Sequence, residues 1–359
     1  SYLYYCAGDF ENCLKSAEDV VSESQELISK NPPAEIRKIE RERLADALLY
    51  IGFYYEYKND SANTTKYYLE ALSTAKQDGY TQGERDYYMN AGAFAKKHGN
   101  YAMALDLYEA GRKIALQMDQ KGGDFKFLLN ESNVYFDMGD YPRALELALT
   151  SMQKGEALKN HEGLQGCYAE VGSIYAEMNQ DDNAMKYFQK ALKSCENDGN
   201  LMAVSMMLNN IGALYYQMKE YDKALASMKR SLAIREKHKD KYGISNCYVN
   251  IGTCFISMGK NDSAEFYLNK ALALKREMND VNGICNVAND IAQLYIKTNR
   301  INDAEKILLE AEKLGAVLKS NDMNRRTYEN LAKLYEVKKD FVFKKGPLFT
   351  NVLLADEIN

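Results

Sequence analysis

Five asparagines, Asn90, Asn130, Asn210, Asn250 and Asn330, share one register with a spacing of 40 residues, and Tyr50, Glu170 and Asp290 fill its remaining places. An amide side chain carries both a donor and an acceptor, so a row of amides matches the hydrogen-bonding needs of an extended peptide backbone. Asparagine is also a poor residue for a helix interior, and its recurrence there asks for a recurring reason. Two reasons fit the pattern: contact with a bound peptide, or amides that bridge neighbouring repeats or bond within their own helix. The flanking residues are mixed in character, with Lys96, Lys97 and Lys126 early, Asn133, Tyr216 and Asn289 later, then Arg326 and Glu329. No single charge dominates, which leaves the ligand's charge open. Asn133, Tyr216 and Asn289 join the row as candidate contacts.

Other chemistry-bearing residues point nowhere in particular. The three histidines, His98, His161 and His238, lie in or near turns and lack the Cys or carboxylate spacing of a zinc site. Cys6, Cys13, Cys167, Cys195, Cys247, Cys254 and Cys285 form no CxxC pair, and their odd number suits buried free thiols in a reducing compartment. No GxxxxGK[ST] loop occurs, so nothing cradles a triphosphate. The expectation is a chain without cofactor, metal or catalytic residues. A net charge of −5 gives no basic footprint for nucleic acid. No apolar run reaches the length of a membrane span. Ser1 reads like a trimmed boundary; with that reservation, a cytoplasmic protein is expected.

The elements that position the row follow from the same period. Small residues recur at Gly52, Gly92, Ser132, Gly172, Gly212, Gly252, Ala292 and Ala332, and aromatic residues follow three later at Tyr55, Tyr135, Tyr175, Tyr215, Phe255, Tyr295 and Tyr335. Twelve after the small residue come Ala104, Ala144, Ala184, Ala224, Ala264 and Ala304. A fixed period of this length signals stacked supersecondary units, because one unit cannot bury its apolar face alone. In residues 241–280, Asp240 can N-cap a first helix whose apolar pattern runs through Ile244, Tyr248, Ile251, Phe255 and Met258. Gly259-Lys260-Asn261 breaks the pattern, and Asp262 can cap a second helix carrying Ala264, Tyr267, Leu268, Ala271 and Leu272. Most of the 28 tyrosines fall on such core positions, so packing explains them.

The order of small residue, tyrosine, alanine and aromatic, as in Asn210-Ile211-Gly212-Ala213-Leu214-Tyr215 and Tyr221-Asp222-Lys223-Ala224-Leu225, resembles the tetratricopeptide (TPR) family. The resemblance spans residues 45–340, with 40-residue units like the extended repeats of cell-polarity adaptors, bacterial peptide-pheromone receptors and TPR sensor regions of bacterial regulators. It implies an all-α, right-handed TPR superhelix, an α-solenoid of about eight helical hairpins whose first helices line a concave face. It also implies a non-catalytic scaffold that binds a protein or peptide there, with asparagines of this register holding the ligand backbone. A second reading is a ligand-sensing regulatory region of a larger bacterial signalling or transcription-regulating protein, suggested by Asn250-Ile251-Gly252 and Asp280-Val281-Asn282-Gly283-Ile284.

Two ends depart from the period. Residues 1–44 read as a divergent partial repeat with an insertion around residues 30–43, where Asn31-Pro32-Pro33 interrupts the helices. Residues 341–359 depart from the repeat at Gly346-Pro347 and resemble the Walker B segment of MoxR-type AAA+ ATPases, ending in Asp356-Glu357. Without a phosphate-binding loop this fragment implies no ATP hydrolysis. A fusion displaying the segment is a third reading, and its apolar Val352-Leu353-Leu354 gives a route to self-association.

Overall fold

Helices of 17 residues joined by three-residue turns account for the period, since two such helices with their turns make 40. A left-handed residue closes the helices at 20-residue intervals: Asn59, Gly79, Gly99, Gly139, Asn179, Gly199, Lys219, Lys239, Gly259, Asn279 and Asn299 all have positive φ. Each stands just past a helix end and lets the chain fold back. Asn59 N–H bonds Glu56 O and Asp60 N–H bonds Tyr55 O, the paired bonds that satisfy the last carbonyls of a helix.

The computed structural model describes residues 9–77, 79–118, 123–158, 161–318 and 321–338. These residues form sixteen helices and no strand. They are α1 (Phe10–Ser29), α2 (Ala34–Tyr57), α3 (Ser61–Gln77), α4 (Thr81–Lys97), α5 (Tyr101–Met118), α6 (Phe125–Asp137), α7 (Tyr141–Ala157), α8 (His161–Glu177), α9 (Asp181–Asn197), α10 (Leu201–Gln217), α11 (Tyr221–Lys237), α12 (Lys241–Ser257), α13 (Asn261–Glu277), α14 (Val281–Lys297), α15 (Ile301–Leu318) and α16 (Asn321–Lys338). The seven pairs from α2/α3 to α14/α15 are helical hairpins, flanked by one helix on either side. The fold is an all-α solenoid of TPR type. It divides into two compact units, residues 1–194 and 195–359, with α9 across the division. The Walker B-like segment, residues 341–359, and the self-association drawn from it lie outside the described residues.

Within each unit the first helices adjoin one another. In the first unit α2 touches α4, α4 touches α6 and α6 touches α8; in the second, α10, α12, α14 and α16 follow one another in the same way. The second helices stand farther apart in backbone, and α13 reaches α15 through the long side chains of Arg276 and Glu310, which pair at 2.7 Å. First helices that pack closer than second helices occupy the inner row of each unit, and the 40-residue register of Asn90 or Asn250 belongs to them.

A size rule holds each hairpin closed. The small residue of the first helix meets the residue sixteen positions on: Gly52 meets Tyr68, Gly92 meets Tyr108, Gly172 meets Phe188, Gly212 meets Met228 and Gly252 meets Leu268. A Cβ at Gly92 would lie 2.4 Å from Tyr108 Cε1, closer than carbon atoms approach, so the glycine is the space the ring occupies. The rule adapts when the large residue shrinks. Position 148 is alanine, and Ser132 then uses its hydroxyl to donate to Ala144 O at 2.8 Å.

A second device fixes the start of α12 and α14. Asp240 and Asp280 accept the Gly243 and Gly283 N–H groups, each at 2.9 Å, as N-caps. Their other carboxylate oxygens are bound by Arg235 Nη1 and Lys275 Nζ, each at 2.8 Å, from the helix before. Lys275 is only 4% exposed and also reaches Asn246 Oδ1 at 3.0 Å. This explains the recurring glycine three residues into these helices: a Cβ at Gly243 would fall 1.6 Å from Arg235 Nη1.

Two local expectations change. Asp262 is not a cap, because α13 starts one residue earlier at Asn261; Asp262 sits in the first turn, where its charge complements the helix dipole. The surplus residues around 30–43 lengthen a helix that begins after Asn31-Pro32-Pro33. Pro33 precedes a 24-residue α2, whose added N-terminal turns pack on α1 through Ser24 Oγ, which donates to buried Glu40 at 2.8 Å. The division expected at residues 44 and 45 therefore falls inside a helix.

Candidate binding face

The amide row occupies one side of the first helices, and its members differ in how far their hydrogen-bonding capacity is already used. In the first unit Tyr50 is half-buried with its ring edge-on to Phe53 at 5.6 Å. Asn90 is half-buried and donates to Asp86 O of its own helix at 2.7 Å. Asn130 instead reaches into the previous hairpin, its Nδ2 lying 2.9 Å from Met89 Sδ. Asn133 donates to Leu129 O at 2.8 Å. In the second unit Asn250 donates to Asn209 Oδ1 at 2.9 Å, and Asn330 to Asn289 Oδ1 at 2.7 Å. Asp290 is bound by Arg326, while Tyr216 shares a hydrogen bond with Ser257 Oγ at 2.9 Å. Asn210 is half-buried and makes no side-chain hydrogen bond among the described residues.

A rule separates the occupied amides from the open ones. Asn130, Asn250 and Asn330 each meet the side chain 41 residues earlier, which is Met89, Asn209 or Asn289 and can accept. For Asn90, Glu170 and Asp290 that place holds Leu49, Leu129 and Val249, which offer no acceptor. Asn90 then turns to its own backbone, and Asp290 takes a cation. Glu170 Oε1 is left buried without a hydrogen-bond partner. The two readings of the row thus divide among its members.

Asn289 and Asn330 are each 1% exposed, and Asn289 also donates to Cys285 O at 2.9 Å and Thr327 Oγ1 at 3.0 Å. They form a buried polar joint between α14 and α16. Asn90, Asn130, Asn210 and Asn250 stay half-exposed.

The electrostatics of the first unit centre on two carboxyls. Burial pushes Glu170 up to about 7, against the opposing influences of Lys96 and the Ser132 hydroxyl. Lys96 is itself engaged, by Asp137 at 3.1 Å. Asp46, one turn before Tyr50, is pushed up to about 6 by burial, although the Tyr80 hydroxyl donates to it at 3.2 Å. In the second unit burial also raises Asp290, with Arg326 acting against it. Spacing put Glu170 in the row, but its lack of a direct ion pair depends on side chains of three helices and had no sequence signal.

Away from this face, Cys13, Cys167, Cys195, Cys247, Cys254 and Cys285 are buried, and burial raises each thiol. Ser151 and Ser231 stand against Cys167 and Cys247 at 3.3 and 3.5 Å, which makes them packed polar contacts rather than nucleophiles. His98 bonds Phe94 O of its own helix through Nδ1 at 2.9 Å. Among the described residues no three His, Cys, Asp or Glu side chains gather to hold a metal ion, and no helix is long and apolar enough to cross a membrane.

Residues 166–198 and 203–277 each match a tetratricopeptide repeat model. Solved structures similar to this chain include a Rap protein complexed with competence and sporulation factor, at 13% identity and a TM-score of 0.59, covering 92% of this chain and 98% of that one. Yeast Tom70 is similar at 15% identity and a TM-score of 0.61, covering 96% of this chain and 63% of Tom70. A signal transduction ATPase with numerous domains (STAND) and a tetratricopeptide repeat sensor, from Pyrococcus horikoshii, is similar at 15% identity and a TM-score of 0.62. This chain is matched over 95% of its length and spans 53% of that protein. Likeness at these identities shows a shared fold.

Proposed function

We propose that the chain is a non-catalytic scaffold that binds a protein or peptide segment along the inner, first-helix face. The observation that carries this reading is Asn210: a half-buried amide in the repeated register whose donor and acceptor are not used within the fold. A free amide on a helix face is poorly explained by stability, since asparagine lowers helix propensity and here returns no hydrogen bond. An extended ligand backbone would use both its groups. Asn90 can turn from its own carbonyl to a ligand at little cost, while Asn130 and Asn250 would hold the hairpins and present their remaining lone pairs. Asn289 and Asn330 serve the joint between α14 and α16.

The experiment compares capture from native lysate by the wild-type chain and by Asn210→Ala, with circular dichroism melts as the folding control. A partner retained by the wild type and lost by the variant at equal melting temperature supports the reading. Equal recovery by both proteins removes Asn210 from any interface and sinks it.

The second reading, a sensing region of a larger signalling protein, is favoured by one observation: the STAND protein carries a tetratricopeptide repeat sensor, and this chain spans 53% of it. An output domain encoded beyond residue 359 in the natural gene would support that reading. Its absence would leave the scaffold reading alone.

A further inference from the structure

Glu170 is the acidic member of the row that the fold leaves with a buried, unpartnered oxygen. It projects from α8 in the register of Asn90 and Asn130, half-buried, with Oε1 lacking any hydrogen-bond partner. Asp290, the other acidic member, shows what such a position takes when a cation is at hand: Arg326 binds it directly. Within the first unit Glu170 has no such direct pair: Lys96 favours its charge only from a distance, its ammonium being paired with Asp137 at 3.1 Å. Two independent facts therefore mark the same place: an orphaned carboxylate oxygen, and a neighbouring lysine already committed elsewhere.

We propose that Glu170 receives a cationic group of the bound peptide, a lysine or arginine side chain or a free α-ammonium. The inference rests on the peptide-binding reading above and deepens it by naming ligand chemistry. A carboxylate removed from water without a partner is costly, and a charge-assisted bond from the ligand would relieve that cost in the complex alone. The burial that raises its protonation midpoint to about 7 is the same cost seen in the free protein.

The test uses a positional-scanning decapeptide library made in two forms, with free and with acetylated N-termini, exposed to the immobilised full chain at pH 7.5. The wild type should retain peptides with Lys or Arg at one fixed position about tenfold over their Leu counterparts, as a charge-assisted bond predicts. Preference that survives acetylation assigns the cation to a side chain; preference lost on acetylation assigns it to the terminus. Glu170→Gln keeps shape and neutral hydrogen bonding, so it should still retain peptides but with the basic preference gone. Asp46→Asn removes an acid elsewhere on the same unit and should leave the preference intact. If peptides are retained with no basic register, or Asp46→Asn abolishes the preference equally, the assignment to Glu170 is overturned while peptide binding stands. If the wild type retains no peptide of either form, the peptide-binding reading falls with it.

Discussion

Replacing Gly92 by alanine should destabilise the wild-type chain yet stabilise a chain in which Tyr108 is leucine. In the native protein an alanine Cβ would meet three atoms of the Tyr108 ring, at 2.4, 2.7 and 2.9 Å. Tyr108 is 1% exposed, so its ring cannot swing into solvent. Forcing a methyl group into such a core costs about 1–3 kcal/mol. Alanine returns about 1 kcal/mol of helix propensity over glycine. The net expectation is a loss of about 1 kcal/mol. Five repeats on, Ala292 and Leu308 hold the same two places, both buried in one core cluster. Tyr108→Leu recreates that pairing with room for the methyl group, so Gly92→Ala there keeps its helix gain of about 1 kcal/mol and fills part of a cavity. Urea midpoints of the four proteins, followed by circular dichroism at 222 nm because the chain has no tryptophan, measure the cycle. A Gly92→Ala effect of the same sign and size in both backgrounds would refute the size rule.

Three further outcomes follow from the geometry. Lys275→Ala strands the Asp280 cap beside a nearly closed site and should cost about 2 kcal/mol, whereas Lys241→Ala, which breaks an exposed pair with Glu277, should stay within about 0.5 kcal/mol; thermal melts compare them. Lys219 has a left-handed backbone at φ 61°, so Lys219→Gly should raise stability by about 1 kcal/mol in denaturant titration, and a loss would contradict the turn assignment. Glu170 binds its proton more tightly when folded, with a midpoint near 7 against an ordinary 4.5. The stabilisation is therefore complete below about pH 4.5, shrinks as pH rises through 7 and amounts to on the order of 2 kcal/mol. Unfolding midpoints at pH 5 and 8 should differ less in Glu170→Gln than in the wild type by about this amount, and parallel curves would show that the carboxyl is not buried as described.

Much of the fold was legible because it is written within each 40-residue copy. Asp240 as a cap, Gly252 beside Leu268 and the turn at Gly259 all depend on residues at most sixteen apart. Asp262 misled because an acid near a helix start serves equally as a cap or in the first turn, and one residue of chain decides which. The binding face was legible in position but not in condition. Whether an amide is open depends on the residue 41 places back, so identical asparagines at 210 and 250 end differently, the second donating to Asn209. Asn289 looked like a ligand contact in the sequence, yet Cys285 O and Thr327 consume its amide at the joint of α14 and α16. Two helices far apart in sequence had to be placed before that could be seen.

The difference between sixteen and 41 bears on how such an array can be rearranged. A copied or transplanted segment such as residues 241–280 arrives with Gly252 and Leu268 already matched, so its hairpin closes wherever it is inserted. Asn250 travels without Asn209, which belongs to the preceding copy. Behind a new neighbour with leucine at that place, the same asparagine would be released to the surface; behind one with an acceptor it would be captured again. Duplication and excision would thus conserve the hairpins while rewriting which amides are exposed, so that the order of the copies, and not their content alone, is a variable on which recognition can be selected.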